Sequence, residues 1–242
     1  MARHAVNMDT QHNSPRQGDH RIADLWDVKY AAGMYVGESP LPFTETILAE
    51  LDKNPGIRSR RGMCVGCGNG RNYIPLARAG LDLVGLDVSE VGLKQIAAHE
   101  PSLEPKLVRA NFLEHGGRFG YVIAIQSFQH GTRSVSERYF HHAAAMLERG
   151  GLLFVRVNST DTTIMFPHQI LEESDAGFTV LYLDGPKRGI HVRFYTKEGL
   201  LRVVREAGLS VVRGPVSVAS REAERAGSWN QWEIVVTLEA DG

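Results

Sequence analysis

Residues 62–71 read GMCVGCGNGR, and residues 84–89 read VGLDVS. Each stretch begins with a short apolar run, which is typical of a strand buried inside a sheet. The first run ends in a loop with three glycines, and helical spacing follows from Ile74. The second run ends at Asp87, after which Ser89 is suited to cap a helix. The order strand, helix, strand, helix predicts a parallel sheet whose strands end at one edge.

The same alternation extends in both directions along the chain. Helical patterns begin near Ile22 and at Phe43, ahead of the glycine loop. The remaining patterns predict strands at 106–109, 121–125, 152–157, 209–218 and 234–238, and helices at 136–149 and 197–207. The second of these helices is predicted to start after Thr196 as its cap. We therefore expect an α/β fold with a doubly wound, mostly parallel, Rossmann-like sheet of seven strands and helices on both faces.

Residues 158–195 interrupt this alternation. They contain a short helix-like piece at 168–173, and two strand-like runs that flank Asp184-Gly185-Pro186. This pattern predicts an inserted β-hairpin that forms a lid and a substrate region. Residues 1–20 are polar and lack apolar periodicity, so we predict a disordered arm. The rest, 21–242, is expected to form a single domain.

The composition narrows the function classes. Of 242 residues, 43% are hydrophobic and 23% are charged, so a packed core is expected. The net charge of -1 gives no reason to expect nucleic acid or a membrane surface as a partner. Two cysteines cannot build a disulfide scaffold, and no apolar run is long enough to cross a bilayer. We expect a soluble, cytoplasmic protein whose oligomeric state the sequence leaves open.

The glycine loop and Asp87 together predict a nucleoside site. A loop without Cβ atoms lets a ligand approach the free amides of a helix N-terminus, and a carboxylate ending the next strand can accept ribose hydroxyls. The dinucleotide pattern requires glycine where Arg71 stands. No lysine occurs between Lys106 and Lys187, so a Tyr-x-x-x-Lys pair after the fourth strand is also missing. These departures argue against hydride transfer.

Both stretches resemble the cofactor-binding half of class I S-adenosylmethionine-dependent methyltransferases, in a form close to the tellurite-resistance and thiopurine methyltransferase-like branch that acts on small molecules. The resemblance runs roughly from Trp26 to the end of the chain. Supporting stretches are Asn111-Phe112, QSFQH at 126–130, LERGGLL at 147–153 and FYT at 194–196. The resemblance implies an enzyme that transfers a methyl group from S-adenosyl-L-methionine to an oxygen, nitrogen or sulfur atom of a small molecule.

The resemblance also implies a set of cofactor-binding residues. The glycine loop would hold the methionine part, Asp87 the ribose, and Val88 and Phe112 the adenine. Asn111 stands where the family usually has an acid that accepts the adenine amino group. The complete set is Trp26, Tyr35, Gly66, Cys67, Gly68, Asn69, Gly70, Asp87, Val88, Asn111, Phe112 and Gln126.

Cys64 departs from the family pattern. It occupies the place of an acid that helps to hold the ammonium group of the cofactor. With Cys67 it also forms a C-x-x-C pair, which raises a redox or zinc site as an alternative. The pair straddles a strand end, and no second ligand pair follows at zinc spacing. We therefore expect two small buried hydrophobic side chains and no metal.

Three residues are candidates for the reaction itself. His130 follows the fourth strand, next to the expected methyl position, and histidine titrates in the range that a base needs. His191 and Arg193 alternate along one strand, which places them on one face. If that face looks onto the site, Arg193 could bind a substrate carboxylate or phosphate.

Other functions stay open at this stage. An NAD(P)-dependent oxidoreductase is the rival enzyme class, and a non-catalytic S-adenosylmethionine-binding protein is the rival without chemistry. Methylation of RNA or protein is a further alternative. No Asn-Pro-Pro-Tyr-like sequence follows the fourth strand, where Gln126 begins the stretch QSFQ, and this argues against methylation of a base amino group.

Overall fold

The computed structural model describes residues 15–219 and 228–239. Within these ranges the helices are α1 (Pro15–Ala31), α2 (Phe43–Asp52), α3 (Pro55–Arg58), α4 (Tyr73–Arg78), α5 (Glu90–His99), α6 (Arg133–Met146) and α7 (Lys197–Glu206). The strands are β1 (Gly62–Val65), β2 (Leu83–Asp87), β3 (Leu107–Arg109), β4 (Phe119–Ile125), β5 (Leu147–Ser159), β6 (His168–Ser174), β7 (Gly177–Tyr182), β8 (His191–Tyr195), β9 (Ser210–Ala219) and β10 (Asn230–Thr237). Of the predicted arm, 1–14 lie outside the described residues, whereas 15–20 belong to α1.

The central sheet has the order β3-β2-β1-β4-β5, and these five strands are parallel. Strand β10 lies antiparallel next to β5, and β9 lies outside it. These seven strands form the mostly parallel sheet that the sequence predicts. The count of seven is nevertheless wrong for the whole sheet, which has ten strands within the described ranges.

The additional strands come from the inserted segment. Strands β6, β7 and β8 form an antiparallel meander, which has one strand more than the predicted hairpin. The helix-like piece predicted at 168–173 is wrong, because these residues lie in β6. β6 is an edge strand that is exposed on both faces, with Ile170 and Leu171 both in contact with solvent. Such a strand has no buried face and therefore shows no period-two pattern.

Helices cover both faces of the central sheet, as predicted. On β1, Met63 and Val65 belong to a core cluster with residues of α6 and α7. Cys64 points to the other face and belongs to a second cluster with residues of α2, α4 and α5. Alternate residues of one buried strand therefore serve two cores, which explains why its sequence is continuously apolar.

Two predicted helix caps are confirmed, because the Ser89 and Thr196 hydroxyls accept the backbone N–H groups of residues three positions later, both at 3.0 Å. Helix α6 begins and ends three residues earlier than predicted, at Arg133 and Met146. In the described part of the chain, no helix is long and apolar enough to span a bilayer.

Candidate functional site

A cavity lies where the strand order reverses, at the carboxyl ends of β1, β2 and β4. From β1 the chain proceeds to β2 and β3 on one side, and β4 continues on the other, which is the place where open α/β sheets bind ligands. Helix α1 contributes to the wall above these strand ends. The predicted residues in the wall are Trp26, Tyr35, Gly66, Cys67, Gly68, Asn69, Asp87, Val88, Asn111, Phe112, Gln126 and His130.

The glycine loop between β1 and α4 has a conformation that side chains rarely adopt. Gly66, Gly68 and Gly70 have φ values of +68°, +56° and +92°. A Cβ atom on Gly66 would come within 2.7 Å of Cβ of Ser127, and one on Gly68 within 2.4 Å of the Tyr30 hydroxyl. Gly70 packs against Ile74 and is not in the cavity wall, so it shapes the loop from behind.

Asp87 ends β2 and fixes the geometry next to the loop. Its Oδ2 accepts the N–H of Gly68 at 2.7 Å, and its Oδ1 accepts the N–H of Ser89 at 2.8 Å. The side chain is 6% exposed, and burial raises its pKa, although the backbone N–H groups oppose this shift. Each carboxylate oxygen accepts one backbone bond and retains capacity for a ligand hydroxyl.

Asn111 and Phe112 lie at the end of β3. The Oδ1 atom of Asn111 accepts the N–H of Leu113 at 3.1 Å, which leaves that oxygen one further acceptor position. The Phe112 ring stacks on Phe128, with 5.5 Å between ring centroids. Together with the half-buried Val88, these rings offer flat apolar walls for a planar group.

Gln126 follows β4 in a left-handed conformation, with φ of +59°. Its Nε2 donates to Oε1 of Gln231 at 3.0 Å, and Gln231 donates to Asn158 at 2.9 Å. A non-glycine residue in this region costs on the order of 1 kcal/mol or more, so the surrounding bonds must hold it there. The strain lies at the cavity wall, where such positions tend to be functional.

Helix α1 places aromatic side chains over the cavity. Trp26 stacks on Tyr30 and meets His130 edge-on, with ring centroids 5.8 Å and 5.1 Å apart. The helix is tied to the start of α5, because Asp27 Oδ1 accepts the Ser89 hydroxyl at 2.5 Å and the Val91 N–H at 3.0 Å. The Asp27 side chain thus attaches the aromatic cover, formed by Trp26 and Tyr30, to the residues that follow Asp87.

His130 is the predicted reaction residue that lines the cavity. Burial and the nearby Lys187 ammonium lower the pKa of its imidazole to about 3. The ring is therefore neutral at neutral pH, and it becomes a stronger base when an anionic or acidic group binds next to it.

Two other predicted reaction residues do not line the cavity. His191 is half-buried on β8, and Arg193 is buried two residues later, where it packs over the ring of Tyr195. On the same face of β8, Tyr195 packs edge-on against Phe140 of α6, with ring centroids 6.3 Å apart. Val192 on the opposite face belongs to the apolar cluster that Trp26 packs against. This face of β8 therefore does not line the cavity directly, and a role for His191 or Arg193 in the reaction stays a prediction.

The structure adds wall residues that the sequence reasoning did not single out. Tyr30 lies one helical turn after Trp26, so its position on the same face could have been found from spacing alone. Some of the others directly adjoin predicted residues in the sequence, whereas Tyr139 and Lys187 have no local signal, because distant parts of the chain bring them to the cavity. These additional wall residues include Arg71, Ser127, Gln129, Tyr139 and Lys187.

The cysteines are buried and reduced. Burial, helped by the charge of Asp87, raises the pKa of Cys64 to about 12, so this thiol stays protonated and cannot replace the usual acid. Cys67 forms part of the cavity wall. Among residues 15–219 and 228–239, no group of three or more His, Cys, Asp or Glu side chains is arranged to hold a metal ion.

Comparisons with solved structures match this fold. A solved magnesium protoporphyrin IX methyltransferase from Synechocystis PCC 6803 with bound SAM superposes with a TM-score of 0.62 at 14% identity, covering 89% of this chain and 96% of that one. A Burkholderia thailandensis 1,6-didemethyltoxoflavin-N1-methyltransferase, solved with its substrate and S-adenosylhomocysteine, gives 0.61 at 16% identity, covering 98% and 99%. At these identities the likeness shows the fold.

Sequence comparison gives the family. A ubiquinone biosynthesis O-methyltransferase of Methylobacterium sp. (strain 4-46) is 31% identical over 155 residues, which are 61% of this chain. The match spans 58% of the length of that relative. The family model described as a methyltransferase domain matches residues 42–213, from α2 into β9. This range includes the glycine loop, Asp87 and His130, and the chain belongs to the methyltransferase domain family.

Proposed function

We propose that this protein transfers the methyl group of S-adenosyl-L-methionine to an oxygen, nitrogen or sulfur atom of a small molecule. The arrangement of the glycine loop with Asp87, beneath the aromatic cover of α1, supports this proposal most directly. The family match and the names of the relatives and structural neighbours point the same way.

The residues present fit the cofactor. The loop at Gly66 and Gly68 has no room for Cβ atoms, and it opens onto the cavity. Asp87 would accept the ribose hydroxyls, and Asn111 would accept the adenine amino group with its remaining acceptor position. Phe112 and Val88 would flank the adenine ring. The cofactor supplies an electrophilic methyl group on a sulfonium, and aromatic faces suit that positive charge.

The remaining work belongs to side chains of this chain. The aromatic cover formed by Trp26 and Tyr30 excludes water, and the cavity wall orients the acceptor towards the methyl position. His130 would take a proton from an acceptor that carries one, because its neutral imidazole faces the cavity. An acceptor atom that has no proton to lose would need only alignment with the methyl group.

Finer points stay predictions. They include the tellurite-resistance and thiopurine methyltransferase-like branch, the cytoplasmic location, and the role of 158–195 as a lid and substrate region in a single domain. The lid is supported by packing, because Leu25 and Trp26 of α1 contact the apolar core of the β6–β8 meander. Lys29 also donates to the Pro186 carbonyl at 2.6 Å, between β7 and β8.

Binding and turnover separate the proposed function from its rivals. Calorimetry of the full chain should show affinity for S-adenosylhomocysteine and none for NADH. Incubation with S-adenosylmethionine and a panel of phenols, amines and thiols should release S-adenosylhomocysteine with at least one acceptor. Affinity for NADH in place of S-adenosylhomocysteine would favour an oxidoreductase. Binding without turnover across the panel would favour a non-catalytic binding protein.

A further inference from the structure

Arg193 is a buried cation with incomplete hydrogen bonding. Its side chain is 1% exposed, and within the described ranges its Nε and Nη2 atoms have no partner. Its Nη1 reaches Oγ1 of Thr179 at 3.5 Å, a long contact. A buried guanidinium with unmet donors is costly, so its retention calls for an explanation.

The nearby carboxylates are already bonded elsewhere. Glu172 accepts the backbone N–H of Arg133 at 2.7 Å, and Glu137 accepts Nε of the same residue at 2.6 Å. Both carboxylates act on the charge of Arg193 from a distance, but neither bonds with it. The two unpartnered nitrogens form one edge of the guanidinium, and this edge matches a carboxylate with two parallel bonds.

Gln129 connects this edge with the cavity. The backbone N–H of Arg193 donates to the Gln129 carbonyl at 2.7 Å. An antiparallel β-bridge pairs His130 with Val192, which places Gln129 opposite Arg193. Opposite residues share a face, so the two side chains lie next to each other. Gln129 lies in the cavity wall, and neither atom of its buried amide has a partner in the described part of the chain. Its side chain is therefore not held in place by hydrogen bonds.

Aromatic rings continue the wall next to Gln129. Phe128 stacks on Tyr139 with ring centroids 5.3 Å apart, and both residues line the cavity. A planar ring would fit against these faces while a polar substituent points past Gln129. The site therefore combines flat apolar walls with one unsatisfied cation behind an unbonded amide.

We propose that Arg193 binds a carboxylate group on an aromatic acceptor, which reaches the guanidinium when the Gln129 side chain turns aside. This substrate class rests on the proposed methyltransferase function. Arg193 then acts as a substrate-binding residue, and Gln129 controls the approach to it.

Benzoate and benzamide test this proposal, because they share a ring and differ in charge. Each is titrated by calorimetry into the full chain, with and without saturating S-adenosylhomocysteine. Benzoate should bind at least about tenfold more tightly than benzamide. In Arg193→Gln the two affinities should agree within about twofold. The matched control Arg188→Gln, an exposed arginine of the same meander, should keep the preference for benzoate.

A second variant keeps the test decisive if Arg193→Gln does not fold. Gln129→Glu places a carboxylate opposite Arg193, so it should raise the melting temperature and abolish benzoate binding while S-adenosylhomocysteine still binds. Equal affinity of the wild type for benzoate and benzamide would overturn the substrate class and leave methyl transfer standing. Loss of S-adenosylhomocysteine affinity in a folded Arg193→Gln would overturn it too, by assigning Arg193 to the cofactor. Failure of the wild type to bind S-adenosylhomocysteine would instead count against the proposed function.

Discussion

Among single side chains, Asp87 should contribute most to cofactor affinity. Two backbone N–H groups hold its carboxylate in place, so it needs no reordering when ribose hydroxyls bind. Asp87→Ala should weaken S-adenosylhomocysteine binding on the order of a hundredfold in calorimetry. Asp82→Ala is the matched control, since this exposed residue just before β2 pairs with Lys106 at the surface. Equal effects of the two variants would contradict the assigned role of Asp87.

The lowered pKa of His130 predicts a pH dependence of stability. Its ordinary value is 6.5, and the folded value is about 3, so between these pH values the unfolded chain binds more protons. The stability from the neutral ring is complete above about pH 6.5 and decreases as the pH falls towards 3. Urea unfolding at about pH 7 and about pH 5 should show a smaller loss for His130→Gln than for the wild type. An identical loss in both proteins would exclude His130 as a source of this dependence.

Gly68 tests the shape of the loop. Its φ of +56° disfavours any side chain, and a Cβ would also collide with the Tyr30 hydroxyl at 2.4 Å. Gly80 has a φ of +85° and no atom within 4 Å of the position of a Cβ. Gly68→Ala should therefore lower the free energy of unfolding by about 1 kcal/mol more than Gly80→Ala, measured in urea. Equal losses would mean that Tyr30 moves away without cost.

The sequence predicts individual residues well where the information is local. Gly66, Gly68 and Asp87 lie in one strand–loop–helix–strand unit, so their spacing alone indicates that they meet. Arg193 is different, because its surroundings depend on Gln129 and Thr179, which reach it through pairing of distant segments. The sequence marks Arg193 as a candidate, but it does not reveal that the side chain lies behind the cavity wall.

At the scale of elements, α1 should depend on Asp27 for its position. Without this carboxylate, the Val91 N–H and the Ser89 hydroxyl each lose an acceptor. Asp27→Ala should lower stability by about 1 kcal/mol and weaken S-adenosylhomocysteine binding, because the aromatic cover is less well held. Hydrogen exchange of α1, measured by mass spectrometry, should be faster in Asp27→Ala than in the control Asp24→Ala, which alters an exposed residue of the same helix. Unchanged exchange would show that packing alone positions α1.

Elements were predictable where burial or capping leaves a pattern. The caps at Ser89 and Thr196 were visible from the residue type and the apolar run that follows. β6 was missed because both of its faces are exposed, so nothing constrains its alternation. Its neighbours β7 and β8 are largely buried and carry the strand-like runs that were recognised.

At the scale of the whole molecule, the parallel arrangement of the five central strands follows from the alternation of strands and helices. The position of β10 does not, because it enters the sheet from the far end of the chain and pairs with β5. This pairing brings Gln231 next to Gln126 and Glu233 next to Arg156. Pairing of β10 with β5 thus completes the hydrogen bonds behind the cavity wall.

Arg156 and Glu233 allow this long-range support to be measured. They form a short ion pair between β5 and β10, with side chains 3% and 14% exposed. Burial is the main cause of both pKa shifts, downwards for Arg156 and upwards for Glu233, so each shift favours the neutral form. Desolvation therefore outweighs mutual attraction in this pair.

Removing one partner should cost far more than replacing both. Glu233→Ala should lower the free energy of unfolding by about 3 kcal/mol, since it leaves the Arg156 guanidinium buried without its carboxylate. The double variant Arg156→Met with Glu233→Leu should stay within about 1 kcal/mol of the wild type. Gln231 Oε1 keeps its bond from Gln126 in that variant, so S-adenosylhomocysteine affinity should be unchanged. A double variant as unstable as Glu233→Ala would show instead that the ion pair itself stabilises the junction of β5 and β10.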